Sequence, residues 1–185
     1  MLTEKDAAAA DAVGVRRLHI GGETPKAGWQ ILNVRPNEHT DFVGNVTDLS
    51  MFADESWDEI YGSHILEHLD YSKELPNVLR ELHRILKPGG ILRISVPDME
   101  ILSKLLVHPE LDFQKRFHVM RMMFGGQTNP YDYHKVGFTL EFMHMFLGRA
   151  GFQTCKRVTS HGLFDDTSEF TPYGVRISLN VVATK

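Results

Sequence analysis

The sequence predicts an α/β fold: a mainly parallel sheet with helices on both faces, closed by an antiparallel strand pair at the C-terminal end. Three observations carry this. Strand-like and helix-like runs alternate through the first half of the chain, separated by turn residues. The clearest helical pattern leads through Lys87-Pro88-Gly89-Gly90 straight into an apolar strand. The last two strand-like runs are joined by a polar loop with no helical pattern, so they pair as a hairpin. At 185 residues, 42% of them hydrophobic and 24% charged, the chain has the size and balance of one domain with a proper core.

The elements follow in order. Arg16 to Ile20, RRLHI, is a first strand running into Gly21-Gly22, and Trp29 to Val34, WQILNV, is a second, closed by Pro36. Asp41 to Val46 is a short third strand and Trp57 to Gly62 a fourth. From Lys73 to Lys87, Leu75, Val78, Leu79, Leu82, Ile85 and Leu86 recur at steps of three and four, a helix stopped by the Lys-Pro-Gly-Gly run. Ile91 to Val96 is the next strand. Phe113, Phe117, Met120 and Phe124 form an apolar stripe opposite Lys115 and His118, read as the buried face of a helix. Leu140, Met143, Leu147 and Ala150 form another, stopped by Gly151. Phe152 to Val158 and Val175 to Ala183 are the final strands.

Composition narrows the function classes. With 20 Lys plus Arg against 24 Asp plus Glu, the net charge of -4 gives no general attraction to nucleic acid or anionic membrane. The basic group Lys115, Arg116, His118 and Arg121 is interleaved with apolar residues and reads as the outer face of the helix, so no nucleic-acid partner is expected. The single cysteine, Cys155, fits a reducing compartment. Residues 1–13 carry Glu4, Asp6 and Asp11 around an alanine run, unlike a secretory signal, and no stretch is long enough to cross a bilayer. The expectation is a cytoplasmic protein of one domain over residues 1–185. Residues 1–14 form a loose tail, and residues 99–150 a lid and acceptor-side insertion.

Within Ser63 to Asp70, SHILEHLD, the residues His64, Glu67 and His68 spell H-x-x-E-H, a zinc pattern when both imidazoles share a helix face. Here the preceding residues are strand formers, so His64 falls where a strand ends and a helix begins. No further histidine stands at a ligand spacing. No metal is therefore expected; His68 is assigned to the first helical turn and Glu67 to the positive end of that helix.

The segments WDEIYGSHILEHL and LRELHRILKPGGILRISVPD, with LHIGG and VTDL before them, together resemble class I S-adenosylmethionine-dependent methyltransferases of the small type 11 kind over Arg16 to about Asp98. Beyond that, the likeness is one of outline, through Ala150 to Phe152 and the last strands. The resemblance implies a Rossmann-like, seven-stranded sheet whose last strand is antiparallel, with S-adenosyl-L-methionine across the ends of the first, second and fourth strands. It places Gly21, Gly22 and Glu23 beneath the methionine part, Asn33 at the ribose, Asp48 and the Leu49 amide at the adenine, and Ser63 and His64 beside the methyl-transfer centre. Two positions depart from the family. Glu23 stands where a second glycine is usual, and Asn33-Val34-Arg35 where an acidic residue ends the second strand. These departures keep open a rival reading, a non-catalytic member of the fold with a weakened cofactor site. A nicotinamide dehydrogenase is disfavoured because no Gly-x-Gly-x-x-Gly follows a strand.

The polar run from Phe124 to Phe138, FGGQTNPYDYHKVGF, would overhang the cofactor in such a fold. It nominates His134 with Tyr131 or Tyr133 as acceptor contacts, alongside His64 as a base or hydrogen-bonding group. The expected acceptor is a small molecule or a glycan. A second polar run, His161 to Gly174, offers Asp165 and Asp166 as ligand groups or turn caps.

Overall fold

The computed structural model describes residues 14–185, so all but Gly14 of the expected tail lies outside the described residues. Seven strands form one sheet: β1 (Arg17–Ile20), β2 (Gln30–Asn33), β3 (Phe42–Val43), β4 (Trp57–Ser63), β5 (Leu86–Pro97), β6 (Thr154–Val158) and β7 (Ser178–Thr184). Their order is β3-β2-β1-β4-β5-β7-β6. The first five pair in parallel, and β7 runs antiparallel between β5 and β6. The order reverses at β1, which leaves a crevice outside the carboxyl ends of β1 and β4.

Helix α1 (Glu74–Ile85) buries Leu75, Val78, Leu79, Leu82 and Ile85 against Leu18, Ile20, Ile60, Leu92 and Ile94 of the sheet. Each such side chain contributes about 1.5–3 kcal/mol of burial. The chain leaves α1 earlier than the glycines suggest. Leu86 is already extended, and Lys87 to Gly90 form the irregular start of β5, with Gly89 at positive φ. The start of α1 is fixed by Asp70, which accepts from the Ser72 and Lys73 amides, while Glu74 accepts from the Asp70 amide.

Helices α2 (Met99–Leu106) and α3 (Phe113–Phe124) build a smaller core from Leu102, Leu105, Val119 and Ile177. Here the expected stripe is overturned: Phe113, Phe117 and Phe124 are 75%, 50% and 49% exposed, and the buried face of α3 runs through Val119, with Met122 and Met123 packed beside it. Helix α3 carries apolar residues on two faces, and the docking surface offered by Leu102 and Leu105 decides which one is covered. Two of its cations are engaged locally, Lys115 with Asp112 and Arg116 with the His108 carbonyl. Helix α4 (Leu140–Ala150) buries Met143 and Leu147, is capped by Thr139, and ends at Gly151 in the left-handed region.

The opposite face of the sheet carries a layer of rings. His19 and Tyr61 pack against Phe164, with Trp29 and His161 around them. The Tyr61 hydroxyl donates to Asp166 at 2.6 Å, and Asp166 also caps the 3-10 turn Thr167–Glu169. The carboxylate weighed as a ligand group is therefore a structural acceptor, and Asp165 beside it is exposed. Among the described residues no helix is long and apolar enough to cross a membrane.

Candidate active site

A cavity of about 510 Å³ opens at the carboxyl ends of β1 to β4. Its first end is lined by Gly21 and Glu23 after β1, Asn33 to Arg35 after β2, and Gly44 to Thr47 after β3. Gly21 is required by the turn that leaves β1: its φ is +73°, and an added Cβ would overlap Ile65, itself a lining residue. The Gly21 amide donates to Leu32 at 2.7 Å, which ties the turn to β2. Asn33 reinforces the tie. Its amide nitrogen donates to the Gly22 carbonyl at 2.9 Å and its oxygen accepts from the Arg35 amide at 2.9 Å.

The other end is made of side chains from two distant segments. His64, Ile65, His68, Leu69 and Glu74 form one wall, and Asn129 to Tyr133 with Lys135 overhang it. Gly125, at φ +84°, has no room for a Cβ against the Asp132 backbone. Asp132 accepts from the Gly126 and Thr128 amides and the Thr128 hydroxyl, which shapes the loop from within. The overhang is fastened to the wall: the Lys135 and Val136 amides donate to the Glu67 carbonyl at 2.7 and 3.3 Å, and Lys135 Nζ reaches Glu74 at 3.0 Å. With Asp132 and Asn129 engaged inside the loop, Tyr131 and Tyr133 are its exposed rings, 63% and 46% accessible.

Behind that wall lies a buried carboxylate. Glu67 is 1% exposed and ringed by His64, His68 and His134. Burial pushes its carboxyl upward, but the neighbouring imidazoles, His64 foremost, outweigh this and hold it below the usual carboxylate range. His64 Nδ1 approaches Glu67 Oε1 at 3.2 Å, off the line of a hydrogen bond, so neither carboxylate oxygen has an aligned donor. His64 itself adopts a φ of +53°, an uncommon backbone for a non-glycine residue. Its Nε2 bonds Ser178 at 2.9 Å, so both ring nitrogens face protein groups. His134 is lowered by burial, a shift opposed by Glu67.

The methyltransferase domain family matches residues 26–94. Solved structures extend the likeness over nearly the whole chain. A methyltransferase dependent on S-adenosylmethionine from Archaeoglobus fulgidus superposes with a TM-score of 0.61 at 16% identity, covering 98% of this chain and 93% of that one. The family match spans β2, β3, β4 and most of β5 of the order β3-β2-β1-β4-β5-β7-β6, while β1 and its Gly21 turn precede it. The chain has the fold of the class I methyltransferases, and residues 26–94 are similar to their methyltransferase domain family. A second relative, from Thermotoga maritima and described as a possible histamine N-methyltransferase, has a TM-score of 0.58 at 19% identity, covering 97% and 89%. The 1,6-didemethyltoxoflavin-N1-methyltransferase of Burkholderia thailandensis, solved with S-adenosylhomocysteine, has a TM-score of 0.57 at 16% identity, covering 98% and 76%. No curated protein matches the sequence.

S-adenosylmethionine is the cofactor implied by the methyltransferase match, and the glycine turn at the first end of the cavity would let it approach the backbone closely. Of the residues nominated for it, Gly21, Glu23, Asn33 and His64 line the cavity. Gly22, Asp48, Leu49 and Ser63 do not. The Asp48 carboxylate accepts from the Ser50 amide as a turn cap, Leu49 is in the core, and Gly22 faces the His19 ring. Asn33 is in place, but both halves of its amide are engaged within the protein. Of the acceptor-side residues, Tyr131 and Tyr133 line the cavity, and His134 turns behind the wall toward Glu67.

Glu67 does not cap a helix. Leu66–His68 is a single 3-10 turn, and α1 starts at Glu74, where Asp70 does the capping. The sequence held one signal of its true position, a carboxylate inside the apolar run Ile65-Leu66-Glu67-His68-Leu69. The role of Lys135 as a tether, and Val46 and Thr47 as lining, had no such signal.

Proposed function

We propose that this methyltransferase acts on a small hydroxylated molecule or a glycan, bound between the His64–Leu69 wall and the overhang of residues 129–135, with residues 99–150 serving as its lid. The observation that supports this reading is the pair Tyr131 and Tyr133, two exposed rings at one end of a cavity whose other end suits the cofactor. Aromatic rings with free hydroxyls offer a planar or sugar ring both a stacking face and hydrogen bonds. The bound cofactor supplies an electrophilic methyl group on a sulfonium. The chain's residues align an acceptor oxygen or nitrogen with it and keep out water. Tyr131 and Tyr133 orient the acceptor from above. His64, fixed between Glu67 and Ser178, shapes the floor at the carboxyl end of β4. The acceptor's reacting atom faces the wall at His68, with His134 and Glu67 behind it. The net negative charge, with Lys115 and Arg116 of α3 engaged locally, favours such an acceptor over nucleic acid.

The test is transfer of labelled methyl from S-adenosylmethionine into fractionated cell extract. Label should appear in small-molecule or glycan fractions and fall in Tyr133→Phe. Label confined to nucleic acid would overturn the reading.

A further inference from the structure

We propose that Glu67, His68 and His134 form a binding site for a divalent metal ion, zinc being the ion their donors suit best. Among the described residues these three bring one ligand atom each to within 4.8 Å of one another. The group is more than a chance cluster, because each member is left with coordinating capacity that the protein does not use. Glu67 is buried, yet neither of its oxygens has an aligned donor. The His68 Nδ1 lies 3.1 Å from the Tyr133 carbonyl, which can only accept; Nδ1 must carry the proton, and the Nε2 lone pair is free. His134 Nδ1 is buried with no partner, its ring 4.9 Å from that of His68. Buried polar atoms seldom go unpaired, and the two Glu67 oxygens with His134 Nδ1, in a group of ligand spacing, indicate a missing common partner.

The surroundings hold these donors in place. The amides of Lys135 and Val136 both bond to the Glu67 carbonyl, so the backbone itself brings residue 134 to residue 67. His64 stands 3.2 Å from the carboxylate, and the Tyr133 carbonyl orients His68, as partners of metal ligands commonly do. Two imidazoles and a carboxylate suit zinc better than calcium or magnesium, which prefer oxygen, and leave a fourth coordination position open. A tetrahedral site has ligand atoms about 3.4 Å apart, so the ion would draw the three groups inward by roughly 1 Å. His68 lines the cavity, and the open position is assigned to its acceptor end, where an acceptor oxygen would bind and lose its proton more readily. Only that last step rests on the methyl-transfer reading.

This trio differs from the H-x-x-E-H pair of histidines. His64 is turned to Glu67 and Ser178, and the residue that completes the set lies far along the chain, beyond the reach of any spacing rule.

The test is zinc titration of chelator-treated full-length protein, in competition with a chromogenic chelator. One zinc per chain is expected, with affinity falling about a hundredfold or more in both His134→Gln and His68→Gln. His108→Gln, an exposed histidine elsewhere, should bind as the native chain does. Equal binding by the native chain and His134→Gln, or an equal loss in His108→Gln, would mark adventitious surface binding and overturn the site. Cobalt(II) added to the native protein guards against a misfolded variant. Strong visible absorption of a low-coordinate ion is expected, and the weak spectrum of the hexa-aqua ion would overturn the proposal. Neither measurement uses cofactor or acceptor, so either reading can fail while the other stands.

Discussion

At the proposed cofactor end of the cavity the lining comes from the turns that follow β1, β2 and β3 in immediate succession, whereas at the acceptor end it comes from segments some sixty residues apart. The hydrogen bonds record the difference. Asn33 bonds Gly22, 11 residues away, but His68 bonds Tyr133 across 65 and Lys135 bonds Glu74 across 61. An end built from consecutive turns is set by strand geometry and changes little when one side chain is altered. An end assembled from distant segments depends on each tether, and there single substitutions should affect chemistry more than folding.

The largest effect that bears on this contrast concerns the layer beneath the cofactor end. Burial lowers the His19 imidazole to about 4. The folded value lies below the unfolded one of 6.5, so the stability that neutral His19 allows is fully present above pH 6.5 and is lost as pH falls toward 4. Between pH 7 and pH 4.5, urea unfolding should show a loss of stability about 2–3 kcal/mol larger in the native chain than in His19→Phe. Equal losses in both would remove His19 from the support of that end.

At the acceptor end, His134→Gln should lower turnover by roughly a hundredfold while leaving affinity for S-adenosylhomocysteine nearly unchanged. Tyr131→Phe and Tyr133→Phe, which remove only a hydroxyl, should lower turnover less. Parallel loss of thermal stability and cofactor affinity in all three would make the overhang a structural cover and dissolve the distinction between the two ends.

Gly21→Ala reverses the pattern. Its Cβ strains a φ of +73° and pushes Ile65 into the cavity, so cofactor affinity should fall about tenfold, with a stability loss of about 1 kcal/mol. The smallest effect is at Glu23. The sequence suggested that this carboxylate crowds the cofactor, but it is exposed, and screening limits its influence. Glu23→Gln should tighten S-adenosylhomocysteine by no more than about fivefold, measured at low salt.

The same contrast explains what the sequence revealed. The strands and the inward face of α1 were legible because periodicity and Lys-Pro-Gly-Gly are local signals. The register of α3 was not, because Phe113, Phe117 and Phe124 make as good a stripe as the face through Val119, and only Leu102 and Leu105 choose between them. At the site, Gly21 announced its turn, and Asn33 was found as a position, but its engagement with Gly22 and Arg35 is a tertiary fact. Glu67 was misread because, although its apolar neighbours hint at burial, its partner His134 comes from a distant segment that no local pattern indicates.

The first end of the cavity is proposed to work as a cofactor site despite Asn33 and Glu23. Calorimetric titration of the native chain with S-adenosylhomocysteine tests this most directly, with Gly21→Ala and His134→Gln beside it. The account predicts one ligand per chain, weakened by the glycine substitution and indifferent to the histidine one. A folded native protein that takes up no ligand at millimolar concentration, or whose binding is unchanged in Gly21→Ala and lost in His134→Gln, would contradict it.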